Sequence, residues 1–100
     1  MNTASLGATL SRETLPWHAR QILQLLQGIA HGSLHLDLPD GRKLSFGHGT
    51  PEAWLSIVEW RVFRDILARG DIGFAEAYLA GDWDTPDLTG LLGLLANNRQ

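Results

Sequence analysis

A chain of 100 residues, 44% hydrophobic and 19% charged, is long enough for one buried core and too apolar to remain disordered. Its net charge of −3 is uneven, because residues 51–100 carry eight acidic and four basic side chains. No basic stripe is available to neutralise phosphates, so nucleic acid is not an expected partner, and the lack of cysteine excludes disulfides, thiolate catalysis and Cys-containing metal sites.

Residues 1–12 are small and polar without a period and read as a flexible leader, followed by a single α+β accessory domain over 13–100. Met1–Leu10 hold neither a basic start nor a long apolar run, and no stretch approaches the ~20 apolar residues of a spanning helix. The expectation is a cytoplasmic protein that is neither exported nor inserted. A first helix is predicted from Thr14, with Thr14 as cap and Pro16 in the first turn. Ile22, Leu25, Leu26 and Ile29 form its apolar stripe, and His31-Gly32 its end.

The period then changes to two. Leu34, Leu36 and Leu38, then Leu44 and Phe46, alternate with polar residues and predict two half-buried strands, joined by a tight turn at Pro39-Asp40-Gly41. After a loop at Gly47–Pro51, Ala53–Val58 predicts a third strand, hydrophobic enough for burial on both faces. From Trp60 a helix carries Val62, Phe63, Ile66 and Leu67 opposite Arg61, Arg64, Asp65 and Arg69, and Gly70 stops it. A short helix between glycine turns follows over Gly70–Trp83. The last helix opens at Thr85-Pro86-Asp87, with Thr85 as cap, stacks Leu88, Leu91, Leu92 and Leu95, and frays over residues 97–100. The predicted architecture is a small antiparallel sheet of about three strands packed with about four helices.

Little in this pattern points to catalysis. His31 and His35 lie four apart with His48 nearby, but that spacing joins side chains only within a helix, and this pair straddles a helix end and a strand. Surface histidines are the expected reading, and no metal site is assigned. Gly47-His48-Gly49 lies between strands and lacks the third glycine of a nucleotide loop, and neither Ser45 nor Ser56 sits in a nucleophile elbow.

Gly70–Trp83 is more informative, because it gathers acids and aromatics beyond what a helix needs. On a helix Phe74, Ala77, Tyr78 and Gly81 share a face, with Glu76 on a neighbouring one beside the aromatics. One reading makes Phe74 and Tyr78 core, Trp83 the plug of a helix junction and Asp82 or Asp84 a turn hydrogen-bonding group. The other makes Phe74, Glu76, Tyr78, Asp82 and Trp83 a lipid or interdomain contact surface. The two are compatible.

The run Gly70-Asp71-Ile72-Gly73-Phe74-Ala75-Glu76-Ala77-Tyr78-Leu79-Ala80-Gly81-Asp82-Trp83-Asp84-Thr85-Pro86-Asp87-Leu88 resembles the N-terminal domain of cyclopropane-fatty-acyl-phospholipid synthases. Leu38-Pro39-Asp40-Gly41 and Phe46-Gly47 are similar to the same domain's hairpin, so the resemblance spans about residues 20–98. It implies a sterol-carrier-like fold that helps present lipid. In that family S-adenosylmethionine and the catalytic residues belong to a separate C-terminal methyltransferase domain, which lies beyond this sequence. No catalytic role or cofactor therefore transfers to any position here.

The expected function is a non-catalytic lipid-binding and domain-docking module of such a methyltransferase, which would act on unsaturated phospholipid acyl chains. Expected partners are phospholipid acyl chains or a membrane surface, met peripherally at the inner face, and the C-terminal methyltransferase domain. Two alternatives stand beside it: a free-standing lipid carrier, and a structural domain whose leucine-rich last helix pairs with a second copy as a homodimer.

Overall fold

The structure is a computed structural model that describes residues 15–99. Helix α1 covers Trp17–Leu26, with Pro16 at its N-cap position; Thr14, expected to cap it, lies outside the described residues, as does the leader. Ala19, Ile22 and Leu23 are the buried side chains of α1, while Leu25, expected within the stripe, is exposed. The helix also ends earlier than its sequence suggests. Gln27, Gly28 and Ile29 turn more tightly, each N–H bonding the carbonyl three residues back, and the N–H groups of Ala30 and His31 are taken by the Asn98 side chain instead of a further helical turn.

Strands β1 (Gly32–Asp37) and β2 (Lys43–His48) form the expected hairpin, with Leu34 opposite Phe46 and Leu36 opposite Leu44. The turn follows its residue types. The Gly41 N–H bonds the Leu38 carbonyl at 2.9 Å, Gly41 takes φ 91°, and the Asp40 carboxylate accepts from the Arg42 N–H.

Strand β3 (Glu52–Ile57) departs from an all-antiparallel sheet by pairing in parallel with β1. Its chain does not turn back on β2. It passes the start of β1, where Ser33 holds it by donating its N–H to the Pro51 carbonyl and its hydroxyl to the Gly49 carbonyl. Alternation identifies strands but not their neighbours. Nor is β3 buried on both faces: Ala53, Leu55 and Ile57 are buried, whereas Trp54 and Val58 are exposed on the other side. A fourth strand, β4 (Trp83–Asp84), pairs antiparallel with the end of β3, giving the order β2-β1-β3-β4.

Helix α2 (Arg61–Leu79) joins the two helices expected on either side of Gly70, which sits within it at φ 58° and ψ −133°, a conformation open to glycine alone. The chain bends there and Gly73 comes to rest against the Asp65 backbone, where a Cβ would collide with the carbonyl. Helix α3 (Leu88–Asn97) is capped by Asp87, whose carboxylate accepts from the Gly90 N–H at 3.0 Å. Thr85 is not the cap. Its hydroxyl donates to the Trp54 carbonyl at 2.6 Å and so ties the approach of α3 to β3.

Among the described residues the fold is therefore α+β, a four-stranded mixed sheet with three helices. One core joins them. Leu34, Leu36, Leu55 and Ile57 supply the sheet's inner face, with Val62 and Phe63 of α2 and Leu91 and Leu94 of α3 packed into the same cluster.

Candidate functional site

The sheet's inner face and the three helices leave between them an apolar groove of about 1000 Å³. That volume is at the upper end of the ~300–1,000 Å³ typical of small-molecule sites. Leu34, Leu36, Leu55 and Ile57 form its floor. Ile22, Leu25 and Leu26 of α1 line one side, Phe74 and Tyr78 of α2 another, and Leu92 and Leu95 of α3 a third. Leu25, Leu79 and Leu92 stand exposed at its rim, 70%, 84% and 46% accessible, so the apolar lining continues onto the surface.

Trp83 fixes one wall. Its ring stacks on Phe74 with centroids 4.2 Å apart and planes 8° apart, and meets Tyr78 at 4.6 Å. Phe74 and Tyr78, four residues apart, face it together from α2. The Trp83 Nε1–H donates to the Phe74 carbonyl at 2.8 Å, so a ring only 2% exposed keeps its polar atom satisfied.

Asp82 holds Trp83 in place. Its carboxylate accepts a bidentate pair from Arg61, Nε at 2.7 Å and Nη2 at 2.8 Å. Its carbonyl accepts from the Val58 and Glu59 N–H groups, and its own N–H donates to the Ala77 carbonyl. Hydrogen bonding and charge from Arg61, partly opposed by burial, hold the Asp82 carboxyl below the usual carboxylate range and raise the Arg61 guanidinium.

A carboxyl depressed in the folded state contributes stability above its unfolded pKa, near ~3.9, and loses it as pH falls through the folded value. The urea midpoint is therefore expected to be independent of pH in this respect down to about pH 5 and to fall below it. An Asp82→Asn variant is expected to be less stable at neutral pH and to lose less on acidification. Equal acid sensitivity of the two proteins would remove Asp82 from this role.

Of the five side chains expected at one surface, the structure brings Phe74, Tyr78 and Trp83 together at the groove and places Glu76 and Asp82 elsewhere. Residue 76 lies two positions from both aromatics, about 200° round the helix, so it cannot sit beside them. It is exposed and paired with Arg69 in a polar depression that Arg61, Arg64 and Asp82 also line. Asp82 is spent on internal bonds.

Comparison with family models, curated proteins and solved structures finds no match to this chain.

The histidines are separated. His31 presents its backbone to Asn98, while His35 lies on the outer sheet face with Nδ1 2.9 Å from the Ser45 hydroxyl, Nε2 2.8 Å from Glu52 and its ring stacked on Trp54. Among the described residues no group of three His, Asp or Glu side chains is placed to hold a metal ion, and no helix is long and apolar enough to cross a membrane.

Asn98, expected to fray, is instead a clamp. Its Oδ1 accepts from the Ala30 and His31 N–H groups, both at 2.9 Å, and its Nδ2 donates to the His31 and Leu94 carbonyls, both at 2.8 Å. It thereby joins the end of α3 to the link between α1 and β1, at the groove wall. No local signal marks it, because its partners on that link lie 67 and 68 residues away. The Arg61–Asp82 clamp, separated by 21 residues, is equally invisible to spacing.

Proposed function

We propose that this chain is a non-catalytic lipid-binding and domain-docking module of a methyltransferase similar to cyclopropane-fatty-acyl-phospholipid synthases. In this reading its groove receives an acyl chain in the manner of a sterol-carrier-like domain. The observation that carries it is the apolar groove of about 1000 Å³ with an exposed leucine rim. Apolar surface left open in a small domain marks a binding site, and a methylene moved from water into such a lining contributes about 0.8 kcal/mol. The aromatic wall of Phe74, Tyr78 and Trp83 falls within the segment that carries the family resemblance. S-adenosylmethionine and the reacting groups would belong to the separate methyltransferase domain.

The test is co-sedimentation with phosphatidylcholine vesicles at low and high salt. Binding by apolar insertion is expected to survive high salt. Ala75 and Ala96 are exposed at the groove's edge, so Ala75→Phe with Ala96→Phe narrows it without disturbing the core. Excluding two or three methylenes costs about 2 kcal/mol, roughly thirtyfold in affinity. Wild-type protein that leaves vesicles and free acyl chains unbound would overturn the lipid reading.

The exposure of Leu25, Leu79 and Leu92 also favours a second reading, in which the rim pairs with another copy. Sedimentation velocity separates the two, since a strict monomer across concentration removes the homodimer.

A further inference from the structure

The groove's rim has a charged point. Among the described residues that line it, Asp71 and Arg99 are the charged ones. Asp71 follows the bend of α2 at Gly70, Arg99 lies just past α3, and Arg99 Nη1 meets Asp71 Oδ2 at 2.8 Å. Both side chains are largely open to solvent, 64% and 75% accessible. A pair so exposed is weak and cheap to open.

We propose that the groove takes an acyl chain of an amphiphile with a zwitterionic head group, whose phosphate pairs with Arg99 and whose ammonium pairs with Asp71. This rests on the acyl-chain reading above and adds the chemistry of the head. The argument is one of charge complementarity. An anionic head that took Arg99 would leave Asp71 unpaired beside a second negative charge, and a cationic head on Asp71 would strand Arg99 in the same way. A zwitterion exchanges one internal pair for two new ones and strands neither. The rest of the lining is apolar apart from Tyr78, the ring nitrogen of Trp83 and the already committed Asn98, so the tail has the remainder of the groove.

Three ligands with the same tail test it: dodecylphosphocholine, dodecyl phosphate and dodecyltrimethylammonium, each titrated below its micelle concentration and followed by tryptophan fluorescence. The zwitterion is expected to bind about two- to fivefold more tightly than either charged analogue, the scale of the one additional exposed ion pair it makes. Asp71→Asn with Arg99→Gln is expected to bind all three alike. The exchanged pair, Asp71→Arg with Arg99→Asp, is expected to keep the preference. Equal binding of the three ligands by the wild-type protein, a preference that survives in the neutral variant, or its loss in the exchanged one would overturn the head-group assignment and leave the acyl-chain reading standing. Failure of all three to bind would overturn both.

Discussion

Replacing Trp83 by alanine is expected to destabilise the domain by about 3–5 kcal/mol, the cost of removing a large, fully buried aromatic side chain. Three losses combine. The ring is 2% exposed, it stacks on Phe74 and Tyr78, and its Nε1–H satisfies the Phe74 carbonyl. Against a total stability of roughly 5–15 kcal/mol for a domain of this size, that leaves a protein close to unfolding. Trp83→Phe preserves the stack and gives up the hydrogen bond, so a smaller loss of about 1–3 kcal/mol is expected. Urea unfolding followed by circular dichroism measures both. An alanine variant as stable as the wild type would mean that the ring is not part of the core. Because Trp83 is core and groove wall at once, loss of lipid binding in the alanine variant would report unfolding, whereas the groove-edge alanines test binding on an intact fold.

Asn98→Ala is expected to cost about 2–4 kcal/mol, although the side chain lies in the final turn beyond α3 where substitutions are usually harmless. Four hydrogen bonds end on its amide, three of them exposed, and at about 0.5–1 kcal/mol each, the lower part of the usual range, they sum to that figure. Asn98→Asp separates their contributions. It retains the acceptor for the Ala30 and His31 N–H groups but sets a second oxygen against the His31 and Leu94 carbonyls. An intermediate stability is expected, with hydrogen exchange at Ala30 and His31 slower than in the alanine variant. Rapid exchange at those two amides in the wild type would contradict the clamp.

Short-range chemistry carried much of the fold into the sequence. The hairpin at Pro39-Asp40-Gly41, the apolar alternation of Leu34 and Leu36, the break at Gly70 and the leucines of α3 all follow from the residue and its nearest neighbours. What spacing could not show was set by pairing at a distance. The parallel placement of β3 beside β1 depends on Ser33 catching the Gly49–Pro51 link. β4 has two residues and no period of its own. The candidate site divides the same way. The aromatic trio was legible as a helical face with an adjacent tryptophan, and the hydrogen-bonding role of Asp82 as one of two readings, but Glu76 lies on the other side of the helix and the Arg61 partner of Asp82 had no local signal. The groove itself, an empty volume between elements, has no sequence signature.

The most direct test of lipid binding places the observation inside the groove. Substituting phenylalanine for Trp17, Trp54 and Trp60 leaves Trp83 as the sole tryptophan, excited selectively at the red edge of its absorption where Tyr78 does not absorb. Trp17 and Trp54 are exposed, and Trp60 is partly buried against Phe63 and is the replacement most in need of a stability check. Titration with a phospholipid brominated along its acyl chain is then expected to quench Trp83 emission in a saturable manner, with no quenching by the same lipid brominated only at its head group. Binding of the brominated chain that leaves Trp83 emission unchanged, or no binding at all, would contradict an acyl chain in the groove.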